Sequence, residues 1–201
     1  MCGTRHEDEA AAQGFAAVAG LDEVGRGALC GPVLAAAVVL GRDFDPDGID
    51  DSKRLTALQR ERLAARIRKG ARAWAVGMAA AREVDRFNVL RATHLAMRRA
   101  ISALSEPPDL LLVDALAIPG VTIPQRAIVK GDAISVSIAA ASIVAKVARD
   151  AIMRELDGRH PGYGLARNMG YASEDHRDAL RRMGPSEIHR RSFHGTQRWL
   201  F

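Results

Sequence analysis

The chain is poor in aromatic residues and in cysteine, and it has no long apolar run. Aromatic residues make up 4% of its 201 residues, so the core must be built from alanine, valine, leucine and isoleucine. Two cysteines, Cys2 and Cys30, are too few for a disulfide framework and suit a reducing cytosol. The longest apolar run, residues 32–40, is too short to span a membrane, and the polar N-terminus lacks a signal-peptide core. We therefore expect a soluble, cytoplasmic protein.

What the chain does contain is typical of one globular α/β domain. Hydrophobic residues reach 48%, and the net charge of +5 is weakly indicative of a polyanionic partner such as nucleic acid. We expect residues 1–14 to be a disordered lead-in, residues 15–193 the domain and 194–201 a tail. Apolar patterns predict strands and helices with some alternation, hence a mixed sheet flanked by helices and a small C-terminal helical extension. The predicted strands are 15–22, 31–41, 72–79, 109–115 and 126–132; the predicted helices are 56–70, 82–104 (in one or two pieces), 135–156 and 173–184.

Acidic residues finish three of the predicted strands: Asp22 with Glu23, Asp114, and Asp132. A single acid at a strand end is most often a solvated turn or a helix cap. Three in one small sheet would repel one another unless a cation lay among them, and oxygen ligands suit Mg²⁺ or Mn²⁺. Alternation along a strand points Asp22 and Glu23 to opposite faces, so both can serve one site only if the chain turns sharply, as Gly25 permits. The histidines have no metal-ligand spacing, and no Cys/His cluster offers a zinc alternative.

Gly25, Arg26 and Gly27 follow the first acids directly. They could simply form a turn with an exposed arginine. The functional interpretation is that a bare main chain approaches a ligand closely, for example a ribose 2′-hydroxyl, which is both a donor and an acceptor.

Several segments together resemble bacterial type 2 ribonuclease H, ribonuclease HII. They run in order over nearly the whole chain: GLDEVGRGALCGPVLAAAVVL, DSKRL, LLVDA, KGDAISVSIAAASIVAKVARD and YGLARNMGYASEDHRDALRRMGPSEIHRRSF. The resemblance implies a ribonuclease H-like fold and an endonuclease that cuts the RNA of RNA–DNA hybrids. It also implies cleavage 5′ of single ribonucleotides in duplex DNA, leaving 3′-hydroxyl and 5′-phosphate ends, for ribonucleotide removal in replication and repair.

The same resemblance assigns roles to particular residues. It implies that the four acids named above are catalytic and bind Mg²⁺ or Mn²⁺, two ions during catalysis, and that Gly25, Arg26 and Gly27 contact the 2′-hydroxyl. It implies that Tyr171 stacks on the sugar next to the ribonucleotide and that Lys53 lies near the phosphates. The chain departs from the usual pattern beside the tripeptide, where Val24 replaces a common alanine and Ala28 a common proline. On the predicted helix 135–156, we interpret Lys146 and Arg149 as solvated and Asp150 as a surface or packing acid.

The C-terminal QRWLF resembles the short motif with which bacterial proteins dock on the DNA sliding clamp. Leu200 and Phe201 would fill an apolar pocket and Gln197 would bond to its rim; alternatively, residues 199–201 fold back onto the core. We expect a monomer.

Two other functions remain open from the sequence. One is a hybrid-binding module that does not cut, which would not need four acids facing phosphate. The other is a different nuclease on the same fold, such as a Holliday-junction or integrase-type enzyme, which would not need the tripeptide or Tyr171.

Overall fold

A run of small apolar residues forms the second strand of the sheet. All seven residues of Val33–Val39 are buried, and their alanines and valines leave room for helices on both faces. The computed structural model describes residues 2–197. In chain order the elements are α1 (Arg5–Ala12), β1 (Val18–Val24), β2 (Val33–Val39), α2 (Ala57–Gly70), β3 (Ala73–Ala79), α3 (Ala81–Phe87), α4 (Val89–Ser102), β4 (Leu110–Asp114), β5 (Gln125–Ile128), α5 (Gly131–Ile134), α6 (Val136–Arg159), α7 (Leu165–Asn168), α8 (Glu174–Met183) and α9 (His194–Gln197).

The strands form one mixed sheet in the order β3-β2-β1-β4-β5. The pairs β3-β2 and β2-β1 are antiparallel, whereas β1-β4 and β4-β5 are parallel. Helix α4 covers one face and α6 the other, with α2 packed against α6. Gly20 lets α6 approach β1 closely, because a Cβ there would lie 2.1 Å from the main chain of Ser137. The predicted fold class, a mixed sheet between helical layers, is confirmed.

Local capping residues start several helices where the sequence predicts them. Thr56 begins α2 with a reciprocal capping box, in which its hydroxyl accepts from the amide of Gln59 and the Gln59 side chain accepts from the amide of Thr56. Ser135 caps α6 and Ser173 caps α8. The predicted helix at 82–104 consists of two pieces, because Asn88 has a φ of +69° and caps α4.

The N-terminal segment, expected to be disordered, is ordered over most of its length. Residues 5–12 form α1, and Ala10 is buried against Leu110, Leu112 and Ile138. The Glu7 carboxylate accepts hydrogen bonds from Ser135 Oγ at 2.6 Å and from the Ser137 amide at 3.0 Å. The expectation of a disordered lead-in was wrong because these long-range contacts are invisible in the local composition. None of the helices described is long and apolar enough to cross a membrane.

The fifth strand is shorter than the predicted 126–132. Pairing of β5 with β4 ends at Ile128, opposite Asp114, and Lys130 then takes a left-handed conformation. The chain enters the short helix α5, which contains Asp132. The prediction that Asp132 ends a strand was therefore wrong, since a turn of helix carries it.

Candidate active site

The first pair of acids lies within β1 rather than beyond its end. Asp22 and Glu23 pair with Ala36 and Ala35 of β2, and the strand continues to Val24. The chain turns after the strand, at Gly25, where φ is +90° and where the sequence was expected to permit a turn. Pairing of β1 with β4 stops at Leu21, so the other side of β1 is open beside both acids. The two acids therefore line one cavity although they alternate along a strand.

The second pair of acids meets where β4 and α5 come together. Asp114 is the last residue of β4, and its Oδ1 accepts a 2.7 Å hydrogen bond from the amide of Gly131. Asp132 follows directly and is buried. This contact explains how a residue outside the sheet is held next to one that ends it.

A cavity of about 300 Å³ opens at this edge of the sheet. Three of the four acids line it, together with the tripeptide and two lysines. The lining residues that matter below are Asp22, Glu23, Asp114, Gly25, Arg26, Gly27, Lys53, Lys146 and Tyr171. A larger groove of about 650 Å³ lies along α4, but its lining is mostly apolar and arginine-rich and contains none of these acids.

The carboxylates are held in an environment that disfavours their charges. Burial, followed by the charge of Glu23, raises the pKa of Asp22 well above its usual range. Burial also raises the pKa of Glu23 and of Asp114, and the charge of Asp132 adds to the effect on Asp114. Two cationic side chains offset part of this repulsion. Lys53 Nζ lies 2.6 Å from Asp132 Oδ2, and Arg26 Nη1 lies 3.2 Å from Glu23 Oε1.

This donor set fits a hard divalent cation. Its side-chain ligands are all carboxylate oxygens, which Mg²⁺ and Mn²⁺ prefer. Without a cation, burial and mutual repulsion favour the protonated form of these acids. A bound cation would compensate their negative charges. Asp22, Glu23, Asp114 and Asp132 are the residues that would hold the ion or ions.

The glycine–arginine–glycine turn forms one wall of the cavity, and the reasons for its two glycines differ. Gly25 has a left-handed φ, and a Cβ there would lie 2.2 Å from Arg149 Nε. A Cβ on Gly27 would meet no atom within 4 Å. The fold therefore requires glycine at 25, whereas at 27 the bare main chain faces open space in the cavity.

Tyr171 lies on another wall of the same cavity and is 37% exposed. The guanidinium of Arg149 lies 5.4 Å from the centre of its ring. An exposed aromatic face backed by a cation is suited to stacking on a sugar or a base.

Comparison with known proteins identifies the family of this chain. The family model for ribonuclease HII matches residues 19–196. The chain belongs to the ribonuclease HII family. A ribonuclease HII from Nitrosococcus oceani is 56% identical over 183 residues, covering 91% of each chain. Membership makes the chain an endoribonuclease, a hydrolase with ribonuclease H activity on RNA–DNA hybrids, and the family is divalent-metal dependent.

Solved structures agree with the fold. The ribonuclease H2 from Pyrococcus horikoshii superposes with a TM-score of 0.75 at 27% identity, covering 91% of this chain and 96% of that one. A ribonuclease HII from Archaeoglobus fulgidus, solved in complex with PCNA, has a TM-score of 0.69 at 27% identity, covering 87% and 92%.

A buried Cys/His cluster lies next to the turn that carries Tyr171, contrary to the expectation that the chain has none. Cys30, His176 and His189 bring their ligand atoms within 4.8 Å of one another. The expectation was wrong because an isolated bridge between Cys30 and His189 joins distant parts of the chain.

Each ring nitrogen of the two histidines has a hydrogen-bond partner within the protein. His176 Nδ1 must donate to the carbonyl of Tyr171 at 2.8 Å, and His189 Nδ1 accepts from the amide of Ser186 at 3.1 Å. His189 Nε2–H then donates to His176 Nε2 across 3.1 Å. Both rings are neutral, and burial lowers the pKa of His189 to about 4. The pair thus anchors the main chain of Tyr171.

Arg149 is also placed differently from its interpretation as a solvated residue. It is fully buried, as is Arg190, which no local sequence pattern distinguishes. One feature of the sequence indicates that Arg149 is buried: it lies on the apolar-rich helix that packs on the sheet. Lys146, in contrast, lines the cavity and is paired at 2.6 Å with Asp150, which is 7% exposed.

Of the residues predicted in the C-terminal tail, Gln197 is described and does not line the cavity. Gln197 ends α9, and its side-chain amide donates to the carbonyl of Ser192 at 3.3 Å. Leu200 and Phe201 lie outside the described residues.

Proposed function

We propose that this chain nicks duplex DNA on the 5′ side of single embedded ribonucleotides, in addition to cutting longer RNA–DNA hybrids. Water would attack the phosphorus, the bond to the 3′ oxygen would break, and the products would carry 3′-hydroxyl and 5′-phosphate ends. The observation that supports this best is the single cavity that carries acids for phosphate chemistry and a bare main chain for a ribose. We propose ribonucleotide removal in replication and repair, by a monomer in the cytoplasm, as its role.

Each wall of the cavity has a part in this proposal. The four acids would hold Mg²⁺ or Mn²⁺, which when bound polarises the phosphodiester and lowers the pKa of a water. Main-chain groups of Gly25 to Gly27 would bond to the 2′-hydroxyl, and only ribose offers that group. Tyr171 would stack on the neighbouring deoxyribose, selecting a junction between RNA and DNA.

Lys53 would attract and orient the phosphates. Its side chain is 76% exposed, yet its ammonium group reaches the buried Asp132, so the side chain spans from solvent to the acids. The loop that carries it is held by Arg60, whose guanidinium donates to the carbonyls of Ser52 and Leu55. The position of Lys53 is therefore fixed by its loop at its base and by Asp132 at its tip.

The test uses a labelled DNA duplex containing one ribonucleotide, an all-DNA duplex and a long RNA–DNA hybrid. Each is incubated with Mg²⁺, with Mn²⁺ and with a chelator, and the cut position is mapped. We expect a metal-dependent nick 5′ of the ribonucleotide and no cut in all-DNA. Cleavage of the hybrid alone would refute the junction role of the tripeptide and Tyr171, while tight binding without any cleavage would refute catalysis.

We also propose that residues 197–201 dock on the DNA sliding clamp. The PCNA complex of the Archaeoglobus fulgidus relative supports this by similarity. A pull-down with purified clamp should retain the full chain and lose a chain that ends at Thr196. Equal retention of the two chains would reject the clamp contact without affecting the nuclease proposal.

A further inference from the structure

Two fully buried arginines lie behind the tripeptide and Tyr171. Arg149 and Arg190 are both 0% exposed and are the largest fully buried side chains. Among the described residues, neither guanidinium has a carboxylate oxygen within 4.0 Å. Their hydrogen bonds go to main-chain carbonyls instead.

This arrangement is costly and therefore informative. Removing a guanidinium from water is unfavourable, and an apolar side chain of similar volume often fills such a space at lower cost. What a guanidinium adds is a rigid planar set of donors that can hold several acceptors in fixed positions at once. The carbonyls that each arginine holds therefore indicate its role.

Arg190 ties together the two ends of the loop that contains the tripeptide. Its Nη1 donates to the carbonyl of Arg26 at 2.9 Å, while Nε and Nη2 both donate to the carbonyl of Gly31 at 3.1 and 2.9 Å. The middle residue of the tripeptide is thus bonded directly to a side chain 164 positions further along the chain. The ring of Phe193 lies 5.2 Å from the guanidinium and covers it.

Arg149 joins the same loop to the turn that carries Tyr171. It donates to the carbonyls of Pro32 at 3.1 Å and Cys30 at 3.4 Å on one side, and to that of Met169 at 2.9 Å on the other. Its guanidinium lies against the Tyr171 ring. Gly25 rests directly on Arg149, since no Cβ fits between them.

We infer that Arg149 and Arg190 are positioning residues that fix the tripeptide and Tyr171 relative to each other for reading a ribonucleotide junction. The inference rests on the proposed function, in which these two elements contact adjacent sugars. They come from distant parts of the chain. Arg190 holds the tripeptide within its loop, and Arg149 joins that loop to the turn that carries Tyr171, both through main-chain carbonyls. A main-chain group contributes selectivity only if it is already in place when the 2′-hydroxyl arrives.

The test measures the affinity ratio between a duplex with one ribonucleotide and the same duplex in all-DNA form. An Asp114→Asn background keeps the substrate intact, and fluorescence anisotropy with Mg²⁺ gives both affinities. Arg190→Lys and Arg149→Lys keep the charge and lose the planar donor set. Arg191→Lys, at the exposed neighbouring arginine, is the matched control, and circular dichroism checks that each variant is folded.

We expect the parent and the control to prefer the ribonucleotide duplex about tenfold, the contribution of one good hydrogen bond. In the two buried-arginine variants the ratio should fall towards one, while affinity for all-DNA duplex stays within about twofold of the parent. If Arg190→Lys does not fold, Arg149→Lys carries the test. A folded variant of either arginine that keeps the full ratio would overturn the inference. A parent without any preference would instead overturn the proposed 2′-hydroxyl reading.

Discussion

The two glycines of the tripeptide should respond oppositely to the same substitution. Alanine at 25 must adopt a φ near +90° and place its Cβ 2.2 Å from Arg149 Nε. Alanine at 27 meets no atom within 4 Å and needs no left-handed conformation. The protein alone therefore forbids a side chain at 25 and permits one at 27, and any penalty at 27 must come from the ligand.

The magnitudes follow from these two environments. Gly27→Ala restricts the unfolded chain at a compatible site, so the free energy of unfolding should rise by about 0.4–1 kcal/mol. Gly25→Ala should lower it by about 1–3 kcal/mol from backbone strain, and by more if Arg149 is displaced. A methyl group on Gly27 would move a ribose roughly 1 Å farther from the main chain. A displacement of that size costs on the order of 10²-fold in kcat/KM.

Thermal unfolding and initial rates on a single-ribonucleotide duplex measure both effects on the same samples. We expect Gly27→Ala to be at least as stable as the parent and strongly impaired in cleavage. Parental kcat/KM in Gly27→Ala would refute the close approach of a ribose to this turn. A loss of stability as large as that of Gly25→Ala would instead mean that the protein itself needs glycine at 27.

Two further predictions concern the charged and titratable groups of the site. Asp114→Asn should reduce cleavage by roughly 10³-fold. The melting temperature of this variant should stay the same or rise, because burial and Asp132 already disfavour the charge of Asp114. Gel-based rates and thermal scans measure the two effects, and near-parental cleavage would remove Asp114 from the site. Acid should weaken the fold through His189, whose pKa falls from 6.5 to about 4 on folding. Between pH 4 and pH 6.5 this histidine is protonated in the unfolded chain and neutral in the folded one. Its contribution to the free energy of unfolding is therefore fully present above about pH 6.5 and is lost as the pH falls towards 4. By linkage the loss is about 2 kcal/mol between pH 7 and pH 5. Urea unfolding of the parent and of His189→Gln at both pH values tests this, and an equal pH dependence in the two chains would contradict it.

The sequence predicts most of the framework because its signals are local. The valine- and alanine-rich β2 is bounded by glycine at 31 and 41, and Thr56 with Gln59 marks the start of α2 through a pattern of four residues. One local rule, acids at the ends of apolar runs, predicts all four acids, although a turn of helix carries Asp132. The proximity of Asp22 and Glu23 to Asp114 follows from the parallel pairing of β1 with β4, which the alternation of elements indicates.

The errors arise where a residue depends on partners far along the chain. Arg149 and Lys146 lie one turn apart on α6, and nothing in the local pattern distinguishes the buried one from the one at the cavity. Arg149 is buried because three main-chain carbonyls accept its hydrogen bonds, two from the loop after β1 and one from Met169. The helix α1 is similar, because its order comes from Glu7 capping the start of α6, 128 residues away.

The site thus contains two kinds of buried charge with different consequences. The acids repel one another, and binding of a divalent cation would relieve that repulsion, so their cost is coupled to a ligand. The guanidiniums of Arg149 and Arg190 are already bonded to carbonyls. The free-energy cost of burying them is therefore offset only while the main chain keeps those carbonyls in place. A site that must bind ions and distinguish ribose from deoxyribose needs both: charges that a ligand can compensate, and a main chain that does not adjust to a sugar without a 2′-hydroxyl. The separation of the two sets explains why loss of Asp114 should remove chemistry while loss of the buried guanidiniums should remove selectivity.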